Sequence, residues 1–92
     1  MSVYVFITKL TPEISKDLKR REAIGKEWKK RVNTLCPNVK WIAHYALSGP
    51  YDFMDIYEAE SDETAAKVSM ITRANGALAV ESWPAIPLSR FI

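Results

Sequence analysis

The 92-residue sequence has one cysteine, one histidine and three glycines. Each scarcity excludes a class of chemistry. Cys36 has no partner for an internal disulfide, which suits a reducing compartment. With nothing placing a histidine beside it, it reads as a bland buried thiol rather than a nucleophile. A single histidine, a single cysteine and scattered carboxylates do not make a zinc or iron site, so neither metal nor cofactor is expected. Three glycines leave no phosphate-cradling loop. No apolar run approaches the roughly 20 residues that span a bilayer. The N-terminal Met-Ser-Val-Tyr-Val-Phe lacks a basic region ahead of its apolar stretch and does not read as a signal peptide. A cytoplasmic protein with no membrane association is the expectation.

What is present is an ordinary globular composition, 48% hydrophobic and 26% charged, with enough apolar material for one domain over residues 1–92. A domain of this size buries only about 60–65% of its unfolded surface, so its core is limited. The net charge of +2 conceals an uneven spread. Residues 16–31 carry eight bases against three acids, while residues 51–66 carry six acids and no base. The basic run invites a nucleic-acid reading. However, Asp17–Arg21, Glu22–Lys26 and Glu27–Arg31 are acid-first pairs four residues apart, the arrangement that stabilises an exposed helix. No nucleic-acid partner is expected.

The element pattern is legible along the chain. Residues 3–9 alternate as a strand, with Val3, Val5 and Ile7 on one face and Tyr4, Phe6 and Thr8 on the other. Thr11-Pro12-Glu13 supplies an N-cap, a first-turn proline and an acid for the positive helix end. The spacing of Ile14, Leu18, Arg21, Gly25, Trp28, Val32 and Leu35 then predicts one helix over residues 12–35. Gly25 is read as allowing close approach of helix to sheet. Two aromatic-rich runs flank Gly49-Pro50-Tyr51-Asp52 and predict a hairpin in which Leu47 opposes Asp52, Tyr45 opposes Met54 and His44 opposes Asp55. Pro50 and Asp52 fit the backbone needs of the turn. Ser61-Asp62-Glu63 opens a second helix closed by Asn75-Gly76, and residues 77–83 form a last strand stopped by Pro84 and Pro87.

The order β-α-β-β-α-β predicts an α+β, ferredoxin-like fold: a four-stranded antiparallel sheet with two helices on one face. In the hairpin, strict alternation puts Trp41, Ala43, Tyr45, Leu47, Met54 and Ile56 on the core face. Tyr4, Phe6, Ile42, His44, Phe53, Asp55 and Tyr57 are then assigned to the face without helices. An apolar face of that kind in so small a protein predicts a homodimer joined sheet to sheet. The apolar tail, with Leu88, Phe91 and Ile92, is expected to dock on a neighbour or cap the barrel end, which would allow a higher oligomer.

These features resemble the GYD-domain family. The matching residues are Tyr4, Thr11, Gly49-Pro50-Tyr51-Asp52, Glu58-Ala59, the run Asp62-Glu63-Thr64-Ala65-Ala66, and Gly76, Glu81-Ser82 and Ala85. Trp83-Pro84 departs from the family's usual leucine and basic residue, and Val80 from its common threonine. The resemblance implies the dimeric α/β barrel and hardly any chemistry. The ligand-binding domain of leucine-responsive regulators is similar in fold without the motifs.

Candidate site residues gather around His44 and Asp55, a cross-strand pair in which the carboxylate would fix the imidazole tautomer. Tyr4, Phe6, Ile42, Phe53 and Tyr57 are expected beside it as an aromatic lining, with Glu81 facing the same cavity or solvated on an edge strand. The leading reading is a homodimeric, non-catalytic α/β-barrel module that binds a small molecule at the sheet–sheet interface. The alternative is a cofactor-independent oxygenase or isomerase with His44 as general base oriented by Asp55.

Overall fold

In a computed structural model, which describes residues 1–91, the alternating N-terminal stretch forms strand β1 (Ser2–Leu10). It is followed by a one-turn helix α1 (Pro12–Ser15) and the long helix α2 (Leu18–Leu35). Strands β2 (Lys40–Ala46) and β3 (Phe53–Ala59) make the hairpin. Helix α3 (Asp62–Ala74), strand β4 (Ala77–Ala85) and a 3-10 turn (Leu88–Phe91) complete the chain. The sheet is antiparallel with strand order β2-β3-β1-β4, so the first strand is central and the last is an edge. This is the ferredoxin-like arrangement predicted from the element order.

The first helix is not continuous. It breaks at Lys16, and Asp17 caps the longer segment, accepting from the backbone amides of Lys19 and Arg20 at 3.1 and 3.2 Å. Thr11 precedes Pro12 but makes no side-chain cap bond. Asp17 therefore serves as an N-cap rather than as an ion-pair partner for Arg21, which bonds Asp52 instead. The other two acid-first pairs form, Glu22–Lys26 at 3.0 Å and Glu27–Arg31 at 2.9 Å. Helix α3 begins at Ser61, whose hydroxyl accepts from Thr64 N, and ends at Gly76, where φ of +100° favours glycine.

The two sheet faces are the reverse of the sequence reading. Tyr4, Phe6 and Tyr57 do not lie on the helix-free face but under the helices, in a core with Val32, Cys36, Val39, Ala59, Ala65 and Val68. Phe6 and Tyr57 are fully buried, and the Phe6 ring stacks on Trp28 of α2. Phe53 and Asp55 share this side through their pairing with Thr8 and Phe6. The register slips between Trp41 and Ala43, leaving Ile42 as the extra residue of a β-bulge, 53% exposed. The bulge brings Trp41 and His44 to the same, helix-covered side. The helix-free face instead carries Val3, Val5, Ile7, Ala43, Tyr45, Met54, Ile56 and Trp83, as their cross-strand pairing requires. Both sets are apolar, so alternation alone did not say which one the helices cover.

One further expectation changes at the C-terminus. Pro84 lies inside β4, paired with Tyr4, rather than ending it. A proline is tolerated there because β4 is an edge strand. The tail, expected to dock on a neighbour or cap the barrel end, leaves Leu88 and Phe91 75% and 71% exposed in the single chain, and Ile92 lies outside the described residues. Cys36 is buried as read, and burial pushes its thiol up, away from the reactive thiolate.

The capping arrangement has a direct test. Asp17→Ala is expected to cost about 1 kcal/mol, the usual worth of a cap, whereas Thr11→Ala should be nearly neutral. Urea denaturation of both variants measures the contrast.

Candidate functional site

Strand register delivers the central pair. His44 faces Asp55 across β2 and β3, and its Nδ1 lies 2.5 Å from Asp55 Oδ1. Asp55 is 5% exposed, while the imidazole keeps about a third of its surface open, 37%. The Trp41 ring lies 5.1 Å from the His44 ring and also contacts Trp28 at 5.2 Å and Tyr57 at 5.7 Å. Two indole N–H groups fix this cluster: Trp28 donates to Thr72 Oγ1 at 2.7 Å, and Trp41 donates to Asn33 Oδ1 at 2.8 Å. Burial raises the Asp55 carboxyl above its ordinary value, and the His44 hydrogen bond and charge, with Lys29, oppose the rise.

The pair stands in the wall of a cavity of about 310 Å³ between α2 and the sheet. The strands contribute Thr8, Leu10, His44, Phe53 and Asp55, and α2 contributes Ile24, Gly25 and Trp28, with Arg21, Lys26 and Lys29 also on the lining. The lining is overwhelmingly apolar. Gly25 does not serve close packing, since a Cβ there would meet nothing within 4 Å. Its missing side chain leaves space. The Arg21 guanidinium lies 5.3 Å from the Phe53 ring centroid, a cation–π contact.

Of the residues expected at the site, His44, Phe53 and Asp55 line the cavity. Tyr4, Phe6 and Tyr57 form the adjoining core, Ile42 points away on the bulge, and Glu81 pairs with Ile7 on the opposite face. The Tyr4 hydroxyl donates to Asp62 at the start of α3, which raises the phenol above its usual value. Burial pushes Tyr57 up to about 12 against the opposing influence of the Ser82 hydroxyl, and neither hydroxyl has a hydrogen bond of normal geometry. The contribution of α2 was not foreseen: Arg21, Gly25 and Trp28 were read as a packing stripe. A glycine three positions before a tryptophan on a buried stripe was the available signal of a gap.

The hairpin turn is a structural tie. Asp52 Oδ2 accepts from Leu10 N at 2.7 Å, and Oδ1 lies 3.4 Å from Arg21. Asp52 N donates to Thr8 O, and Lys9 Nζ donates to Pro50 O. The turn is thereby fastened to the end of β1 and the start of α2. Tyr51 donates its hydroxyl to Glu81 on β4, and Trp83 Nε1 donates to the other oxygen of the same carboxylate at 3.1 Å. The bond to Glu81 raises the Tyr51 phenol.

Four antiparallel strands in this order, with α2 and α3 on one face, define an α+β protein of the ferredoxin-like class. The solved structure of TTHA0845 from Thermus thermophilus has a similar fold, with a TM-score of 0.66, 16% identity and 95% of each chain covered. MtbAldR gives a TM-score of 0.67 at 15% identity, covering 94% of this chain and 53% of that one. At such identities the likeness is one of fold alone. The chain belongs to the GYD-domain family, whose model matches residues 4–92. A curated relative from Thermus thermophilus, named glutamine synthetase and cystathionine beta-lyase binding protein, is 35% identical over 54 residues, 59% of this chain. The match spans 57% of that relative's length.

The raised Asp55 carboxyl carries a pH dependence. A folded carboxyl that holds its proton more tightly than the unfolded one contributes stability that is full below the unfolded value of 3.8 and is lost as pH rises through the folded value. Stability measured by urea denaturation from pH 3 to 7 is expected to fall across that window, and Asp55→Asn should remove this contribution to the slope.

Proposed function

We propose that the protein is a homodimeric, non-catalytic binding module whose two copies join through the helix-free faces of their sheets, and which works by engaging another protein in the cytoplasm. The observation that carries this reading is the uncovered sheet face. Val3, Val5, Met54 and Ile56 are only half-buried there, and Tyr45 and Trp83 are 53% and 49% exposed. A contiguous apolar surface of this kind is a docking surface in a small protein. A flat face meeting its own copy about a two-fold axis is the simplest closed cover. Glu81 is a charge on that face, and both its oxygens already accept hydrogen bonds from Tyr51 and Trp83. Covering it would not strand an unpaired carboxylate.

The relative's name supports the second half of the proposal. It describes a protein that binds two enzymes, and a non-catalytic partner role here follows from that likeness. The surfaces left free by a sheet-to-sheet dimer include the basic outer face of α2 and the acidic segment leading into α3.

A second reading keeps His44 as a general base oriented by Asp55 in a cofactor-independent oxygenase or isomerase. The 2.5 Å contact on the cavity wall favours it. His44→Ala would then lower turnover by about 10²–10⁴-fold with the dimer intact.

The dimer itself is tested by charge on the open face. Ile56→Asp and Tyr45→Asp are expected to give folded monomers by light scattering, weakening self-association at least ~100-fold, because an unpaired charge would be buried at a cost of several kcal/mol. Phe6→Asp, on the helix side, should unfold the chain instead. A wild-type protein that is monomeric at micromolar concentration would overturn the proposal. The exposed tail gives an independent expectation: deleting residues 87–92 should leave the melting temperature of the isolated fold unchanged but reduce the assembled mass or its stability.

A further inference from the structure

We infer that the cavity under α2 is a binding site for a small aromatic carboxylic acid that carries a separate hydrogen-bond donor on its ring. The site lies on the helix side of the sheet, and it goes beyond the dimer and partner reading, which concerns other surfaces.

The size and walls define the body of the ligand. A volume of about 310 Å³ is at the lower end of small-molecule sites, and the Trp28 and Phe53 rings in its lining suit a flat ring. The protein keeps this space at a cost to itself. Glycine is among the poorest helix formers, yet Gly25 sits in the middle of α2, where an added Cβ would meet nothing within 4 Å. A helix selected only for stability would fill the gap.

The two ends of the ligand follow from the polar groups. Arg21 and Lys26 on the lining already have anionic partners, Asp52 and Glu22. Lys29 also lines the cavity and has no ion-pair partner among the described residues. It provides a cation for a ligand carboxylate. Inside, the buried Asp55 presents a carboxyl whose Oδ1 is taken by His44, while Oδ2 has no side-chain partner among the described residues. An anion would be repelled there, and a phenol or ring N–H would be received. The site thus offers both an acceptor, Asp55, and a cation, Lys29, whose charge also acts on the Asp55 carboxyl, and the ligand must supply a group for each.

The probe is 3-(4-hydroxyphenyl)propionate, titrated into the full-length protein by isothermal calorimetry and followed by amide chemical shifts. Saturable binding at one site per chain is expected, with the largest shifts in residues 21–29 and 53–55. The neutral analogue 3-(4-hydroxyphenyl)propan-1-ol and the donor-free 3-phenylpropionate should each bind at least ~5-fold more weakly, the loss expected for a missing charge-assisted hydrogen bond. Gly25→Leu should abolish binding while melting at or above the wild-type temperature, which separates a filled cavity from a damaged fold. Lys29→Gln should weaken the acid roughly 3–10-fold and leave the neutral alcohol unchanged. No binding of the acid at millimolar concentration, or binding undiminished in Gly25→Leu, would overturn the site. Equal affinity for acid and alcohol would overturn the class of ligand. Light scattering on the same samples reports the dimer separately, so failure of one proposal leaves the other distinguishable.

Discussion

The packing of Trp28 against the sheet is the contact on which the other arrangements depend. Its ring stacks on Phe6 of the central strand and meets Trp41 of an edge strand, while its N–H reaches Thr72 of α3. One side chain therefore sets the height of α2 above the sheet and its spacing from α3. A large indole placed between helix and sheet holds the two apart over the segment on its N-terminal side, where Gly25 contributes no filling. The cavity is the direct result of a wide spacer next to an absent side chain. His44 and Asp55 face it because the bulge at Ile42 turns Trp41 and His44 to the same side.

Much of the fold was legible because each element carried its own punctuation. The hairpin register followed from an even turn between two aromatic runs, and it placed His44 opposite Asp55 as found. Ser61 and Gly76 marked the ends of α3. The assignment of faces was not legible, since the two faces of β1 are both apolar and a period of two distinguishes faces without naming them. Within β1 the faces differ in size: the helix side takes the rings of Tyr4 and Phe6, packed with Tyr57, Trp28 and Trp41, while the open side takes the aliphatic Val3, Val5 and Ile7. A single-residue bulge leaves no trace in alternation except an unexplained exposed isoleucine.

The break at Lys16 was obscured for a related reason. Asp17 satisfied two patterns at once, the first member of an acid-first pair and an N-cap, and local hydrogen bonding won. Arg21 was thereby free to reach Asp52, which gives the aspartate of the turn motif a long-range role that short-range turn chemistry does not contain. The tyrosine beside it likewise reaches across to Glu81. The motif at residues 49–52 is thus a clasp between distant segments as well as a turn.

The central position of β1 bears on how the protein is made. Its two neighbours in the sheet are β3 and β4, so the first of the four strands to leave the ribosome is flanked by strands that end at Ala59 and Ala85. Until those arrive, an apolar strand has neither of its hydrogen-bonded edges covered, and the Leu10 amide waits for a carboxylate 42 residues downstream. The sheet therefore cannot close until β4 has been made. During elongation the N-terminal strand is an unpaired, aggregation-prone segment of the kind that chaperones hold.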